Sequence, residues 1–325
     1  MNSMTLHDIG EKRLLLWLGK YFPGMERGVI VSNTHDAAVV RVSGNVAIKT
    51  DTMVITKSIP GITPEHIGYK AGVAVLSDFA AIGATPKYAT LSISAPRKMT
   101  FSDFRLVCSG VRRSLARANV LVVGGDLSEA SDLSVSISLI GKGSQRSMTR
   151  SGSKPGDLIA VSRPFGLEPY GLKVLAERLP RGPLEREAVR RFLFPKPELT
   201  YGKLLSTLDF VHACTDSSDG LLISIDNLLN RSLDASLEHL PAAGALLKSG
   251  MDKETVASLV SSGGEEYVLV FSYDQRRDSE LVRALRKVGR RRIVVGRFVN
   301  GRGIVRDAAR KGKPVDIRGW RQFES

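Results

Sequence analysis

The chain has 325 residues, 42% of them hydrophobic, with 47 Lys and Arg against 33 Asp and Glu for a formal net charge of +14. That length accommodates two packed domains, no stretch approaches the roughly 18 apolar residues of a membrane span, and Leu14–Leu18 near the N-terminus lacks the long apolar core of a signal peptide. Only Cys108 and Cys214 are present, with no Cys-x-x-Cys pair, so a disulfide framework or zinc cluster is not expected and a cytosolic protein is.

Residues 6–22 place Leu14, Trp17, Leu18, Tyr21 and Phe22 on one helical face, with Thr5 and Asp8 spaced as a capping box. Strands are expected over 37–42 and 45–50, which puts Asp36 and Asp51 at strand ends. Thr63-Pro64-Glu65 opens a helix with proline in its first turn, and Ala71, Val75, Asp78 and Ile82 share one of its faces. Asp78 then lies either on that apolar side or, with Ser77, caps a helix restarting at Phe79. Residues 88–95 alternate as a half-buried strand, 101–118 form a helix capped by Thr100 and Asp103, and 133–139 alternate strictly with serines. Between these last two, Leu121-Val122-Val123 reads as a short buried strand ending on Gly124-Gly125-Asp126, where the glycines let the backbone turn and approach a ligand. Asp126 is then either a solvated carboxylate in a tight turn or the partner of a divalent cation carrying phosphates.

Residues 141–157 break all periodicity, so the boundary falls there, between α+β domains at 1–145 and 146–325. The second half reads as a strand at 158–162, helices near 168–178 and 184–193, and the loop Asp216-Ser217-Ser218-Asp219-Gly220 before a helix at 220–231. A strand at 266–272 behind Gly263-Gly264, a helix at 274–287 and a strand at 293–298 complete it.

Phosphate loops, dinucleotide fingerprints, nucleophile elbows and zinc-protease helices are all missing, and the five histidines are scattered. What recurs is aspartate beside small residues, at Asp36, Asp51, Asp78, Asp126, Asp216 and Asp219, an all-oxygen set suited to magnesium and a polyphosphate. The positive charge fits a nucleic-acid surface, phosphorylated substrates or a basic background. Without the aromatic–basic interleaving that stacks bases, small phosphorylated substrates are expected, and neither nucleic acid nor membrane is.

Seven segments in order resemble the thiamine-monophosphate kinase family, in particular its archaeal branch, within the aminoimidazole-ribonucleotide synthetase superfamily. They are Thr50-Asp51-Thr52-Met53-Val54, Leu76 to Ala84, Val123-Gly124-Gly125-Asp126, Thr149 to Asp157, Asp216 to Gly220, Gly263-Gly264-Glu265-Glu266-Tyr267 and Arg318 to Phe323. The resemblance implies a two-domain α+β fold whose N-terminal domains pair into a β-barrel in a homodimer, with ATP and magnesium in the cleft between domains. It implies transfer of the ATP γ-phosphate to thiamine monophosphate, giving thiamine diphosphate. Carried over by position, Asp36, Thr50, Asp51, Asp78, Asp126, Asp216 and Asp219 hold magnesium, with Asp126 and Asp219 the catalytic pair. Gly125, Asp126, Arg150 and Ser218 meet ATP, while Glu265 and Trp320 meet the thiamine part. The chain departs from the family at Thr34-His35-Asp36, where Gly-Asp-Asp is usual, at Lys49, where bacterial members carry a small hydroxyl residue, and at Lys57-Ser58, where they place a substrate-contacting His. Lys57 or Ser58 is therefore expected at the acceptor phosphate. Two rival readings stay open: ATP-dependent phosphorylation of a carbonyl oxygen, as elsewhere in the superfamily, and a nucleotide-binding regulator without turnover.

Overall fold

The computed structural model describes residues 3–26, 28–32, 37–55, 59–308 and 312–317. They fall into two units, Met1–Phe79 with Ala84–Gly143, and Ala80–Gly83 with Ser144–Ser325.

The first unit contains α1 (Leu6–Ile9), α2 (Glu11–Tyr21), β1 (Val29–Val31), β2 (Val39–Val40), β3 (Val46–Ile55), α3 (Pro64–Ala81), β4 (Thr85–Ala95), α4 (Phe101–Ala116), β5 (Leu121–Glu129) and β6 (Leu133–Lys142). Its main sheet has the order β3-β6-β4-β5, antiparallel except for the parallel β4–β5 pair. The period-two pattern sorts its faces. Leu133, Val135, Ile137 and Leu139 of β6 are buried, while Ser134, Ser136 and Ser138 between them are half-buried on the other side. Helix α4 buries Phe104, Val107, Val111 and Leu115, and meets α3 through Arg113 to Glu65 at 3.3 Å and Arg117 to the Tyr69 hydroxyl at 2.7 Å.

The capping box of Thr5 and Asp8 forms, but the expected single helix breaks at Gly10 into α1 and α2. Trp17 of α2 stacks on Tyr21 at 4.7 Å and meets the edge of Phe101 at 5.2 Å, so aromatic contacts fix α2 against α4. Helix α3 runs unbroken to Ala81, so Asp78 caps nothing; it sits within the helix and forms an ion pair with Lys49 at 2.9 Å.

The second unit contains β7 (Asp157–Val161), α5 (Leu167–Ala176), α6 (Pro183–Leu193), α7 (Leu199–Leu205), β8 (Val211–Ser217), α8 (Leu221–Asp226), β9 (Leu233–Leu237), α9 (Gly244–Leu247), α10 (Lys253–Ser262), β10 (Val268–Asp274), α11 (Asp278–Lys287), β11 (Ile293–Asn300), β12 (Val305–Asp307) and β13 (Lys313–Pro314). Its seven-stranded sheet has the order β13-β12-β9-β11-β7-β10-β8, antiparallel apart from β9–β12. Strand β7 is buried at every position, as a strand covered on both faces must be. Tyr201, Phe271, Tyr273 and Leu281 anchor one core against it.

Helix α8 is half the expected length. After Asp226 the bonds tighten to i→i+3, from the Leu228 and Leu229 amides to the Ile225 and Asp226 carbonyls, and the Asn230 side chain accepts from the Ser232 amide at 2.9 Å. Asparagine side chains compete with the helix for backbone donors and stop it early.

Candidate active site

In the first unit, β5 does not end at its glycines. It continues through Glu129, so Gly124-Gly125-Asp126 lies within a strand and the expectation of a tight turn is corrected. Close packing accounts for the glycine: a Cβ on Gly125 would lie 1.9 Å from the Leu91 carbonyl oxygen of β4. Asp126 pairs with Ser92 of β4, and Ser92 with Ser136 of β6. Hydroxyl pairs join the same face: Thr50 to Ser138 at 2.8 Å, Thr52 to Ser136 at 2.8 Å and Ser94 to Ser128 at 2.7 Å. A groove of about 680 Å³ runs over this face, bounded by Leu15, Leu18 and Phe22 near its N-terminal helix and by Gly124, Gly125 and Asp126.

Strand parity divides the candidate ligands of this unit. Thr50 and Asp126 share the hydroxyl face, whereas Asp51 pairs with Ile137, a buried residue of the opposite face, as does Lys49 with Leu139. On that opposite face Lys49 reaches Asp78, so the described part of the site already contains one fixed cation. Among the described residues no three Asp, Glu, His or Cys side chains gather as a metal-holding cluster. Asp36, Lys57, Ser58 and Trp320 lie outside the described residues.

In the second unit Asp216 belongs to β8, opposite Leu269 of β10, and is buried; it is not a loop residue. The strand ends at Ser217 and the chain turns through Ser218, Asp219 and Gly220 into α8. The 263–267 segment lies along that turn. The Glu265 amide donates to the Ser218 carbonyl at 2.6 Å and the Tyr267 amide to the Ser217 carbonyl at 2.7 Å. Glycine at 264 is required, since a Cβ there would be 2.6 Å from the Ser218 carbonyl oxygen. The Tyr267 hydroxyl donates to Glu265 at 2.9 Å, and the Ser218 hydroxyl to Asp219 at 3.0 Å.

Asp219 is held above the usual carboxylate range. Burial is the main cause and the nearby charge of Glu265 adds to it, against the Ser218 hydrogen bond and the attraction of Arg150. These opposing effects place Arg150, Ser218, Asp219 and Glu265 in one neighbourhood of this unit, as the motifs imply. A half-buried carboxylate whose surroundings disfavour its charge suits a hard divalent cation, which reverses that balance. Together with Asp216 and the hydroxyl oxygens, the donor set fits magnesium.

Three functional-looking groups, Arg163, Glu168 and Glu198, escape the sequence patterns and gather around Glu266 of the 263–267 motif. Arg163 donates to Glu168, pairs with Glu198 at 3.3 Å and donates to the Glu266 carbonyl, while Glu266 accepts from the Gly166 amide. Glu168, Glu198 and Glu266 are all buried. Their signal is a charge inside an apolar run, as in Gly166-Leu167-Glu168-Pro169-Tyr170.

Known proteins share this sequence pattern and fold. Residues 34–143 match the family of the AIR synthase related protein, N-terminal domain. The solved structure of AaThiL complexed with AMPPCP and TMP superposes with a TM-score of 0.74 at 26% identity, covering 99% of this chain and 100% of that one. The architecture is thus that of the AIR synthase related proteins, a class defined by its α+β fold. Within it, the thiamine-monophosphate kinase of Haemophilus influenzae is 32% identical, over 90% of this chain and 90% of its own length. That of Nitrosopumilus maritimus, an archaeal relative, is 27% identical over 90% and 93%. The chain belongs to the thiamine-monophosphate kinase family.

Proposed function

We propose that the chain transfers the γ-phosphate of ATP to thiamine monophosphate, giving thiamine diphosphate and ADP. The observation that carries this is likeness to kinases of that name over nine-tenths of both chains, with the Asp216–Gly220 turn and the Glu265 segment laid against each other. A terminal oxygen of the acceptor phosphate attacks the γ-phosphorus in line, and the bond to the β,γ-bridging oxygen breaks as ADP leaves.

In this reading Asp36, Thr50, Asp51, Asp78, Asp126, Asp216 and Asp219 would hold magnesium, not all on one ion since strand parity divides them, and the charge so supplied would neutralise the phosphate oxygens. Gly125, Arg150 and Ser218 contact ATP: Gly125 offers a bare backbone, Ser218 a hydroxyl, and Arg150 a permanent positive charge beside Asp219. Glu265 faces the cationic thiazolium, and Trp320 covers its ring. Lys57 or Ser58 is the contact to the acceptor's own phosphate in this reading.

The working unit in this proposal is a homodimer in the cytosol. Strand β3 is an edge strand ten residues long, and Val46, Ile48 and Val54 are exposed along its hydroxyl face. A long apolar edge is an aggregation hazard unless a partner covers it, and a second copy of the same surface is the simplest cover. The cytosol is consistent with both cysteines being buried and free. The test is an acceptor panel: turnover is expected with thiamine monophosphate and to fall at least tenfold with thiamine, which lacks the phosphate anchor. Equal use of both would remove the anchor from the account.

A further inference from the structure

The segment that presents Glu265 is unusual in its backbone. Glu265 has φ 69° and Tyr267 φ 51°, so two residues with side chains sit in the left-handed region on either side of Glu266. Such conformations persist only where the surroundings over-determine them. The Ser217 and Ser218 carbonyls hold the two strained amides from one side. From the other side the restraint is the buried side chain between them.

Glu266 is fully buried and touches no solvent. One carboxyl oxygen accepts the Gly166 amide just before α5, and Arg163 binds the carbonyl of the same residue. The other carboxyl oxygen of Glu266, like one oxygen of Glu168, is buried without a conventional donor. These two oxygens are the unmatched atoms of the cluster. Burial, reinforced by the charge and hydrogen bond of Glu168, pushes Glu266 well above the usual carboxylate range; for Glu168 burial acts in the same sense, but Arg163 and the hydrogen bond from Glu266 bring it below. Arg163 offsets the charge, with Glu198 as its further partner and Arg290 at 3.8 Å from Glu198. Arg163 and the Gly166 amide tie the three buried carboxyls to the backbone at Glu266, which makes the cluster a support for that segment.

We propose that Arg163, Glu168 and Glu266 are positioning residues that lock the strained 265–267 backbone, with the Tyr267 hydroxyl, so that the Glu265 carboxylate is aimed at the acceptor. The proposal rests on the reading of Glu265 as an acceptor contact and adds what holds it there. None of the three reaches the reacting atoms; loosening them moves Glu265, which lowers acceptor affinity more than it changes ATP binding.

The experiment measures kcat and KM for thiamine monophosphate and for ATP in the wild type and in Glu265→Gln, Glu266→Ala, Glu266→Gln and Tyr267→Phe, with near-ultraviolet circular dichroism as a check of folding. Glu266→Ala is expected to raise the acceptor KM about tenfold and Tyr267→Phe about threefold, with the ATP KM within about twofold of wild type. Glu266→Gln keeps the side chain's shape and an acceptor for the Gly166 amide and is expected to restore the acceptor KM. Because a buried Glu266→Ala chain can fail to fold, Tyr267→Phe, which deletes one hydroxyl, carries the test in that event. A raised acceptor KM in Glu265→Gln with wild-type values in Tyr267→Phe and Glu266→Ala overturns the positioning role and leaves Glu265 as a contact. An equal rise in both KM values also overturns it. An unchanged acceptor KM in Glu265→Gln removes Glu265 from the acceptor site, and the proposal falls with it.

Discussion

In the proposed function Asp219 is a ligand whose charge is costly until a cation meets it. Its carboxylate is disfavoured by burial and by Glu265, so removing the charge costs the metal-free protein little. Asp219→Asn is therefore expected to leave the metal-free melting temperature within about 2 °C of wild type, to abolish the rise in that temperature on adding magnesium, and to lower turnover by about two orders of magnitude or more. A magnesium-induced rise of wild-type size would count against Asp219 as a ligand. Lys49 makes the opposite kind of statement, because its ammonium already holds Asp78 at 2.9 Å and competes with any ion there. Lys49→Ser is expected to lower the magnesium concentration for half-maximal turnover severalfold, whereas an increase would show that the ammonium completes the site.

Strand β5 shows where the sequence is readable and where it stops. Its apolar start is plain in Leu121-Val122-Val123, yet of the two glycines that read as a turn Gly125 serves to let β5 pass within reach of the Leu91 carbonyl. That contact is with a residue 34 positions away and leaves no local trace. The alternation of β6 and the Thr100 cap of α4 are local and were legible. The Asp252 cap of α10 was equally local, with the Thr255 amide donating to its carboxylate at 2.8 Å, but the helix behind it carries too broken an apolar stripe to stand out. At the site, the motifs located Asp219, Ser218 and Glu265 together; the Arg163 cluster beneath them comes from three distant segments and could only emerge from the fold.

The start of α11 carries the clearest electrostatic lock. Asp278 accepts from Arg292 at 2.6 and 2.8 Å and from the Tyr273 hydroxyl at 2.6 Å. Burial opposes the charge, but these bonds outweigh it and hold the carboxyl below its ordinary value. A folded-state pKa below the unfolded one gives stability that is present above the unfolded value and lost as pH falls through the folded one. Asp278→Asn is expected to cost about 1–2 kcal/mol near neutral pH, and less as the pH drops below about 4. Parallel urea titrations at both pH values check this; a cost independent of pH would contradict it.

At the scale of the whole molecule, two features need an explanation beyond one chain: the +14 charge and the β3 edge, which pairs with no further strand among the described residues. In the proposed function the charge serves two phosphorylated substrates and the edge a second copy. Ile48, 70% exposed on that edge, is the most direct probe. Sedimentation velocity is expected to show a dimer for the wild type and a monomer for Ile48→Lys; a dimer in both would move the interface elsewhere. The central claim is the reaction itself, and its decisive measurement is to supply ATP labelled with oxygen-18 in the γ-phosphoryl group, with magnesium and thiamine monophosphate, and to read the products by mass spectrometry. The account predicts thiamine diphosphate carrying the label in its terminal phosphate, one for each ADP formed. ADP with labelled inorganic phosphate and no labelled thiamine diphosphate would contradict it.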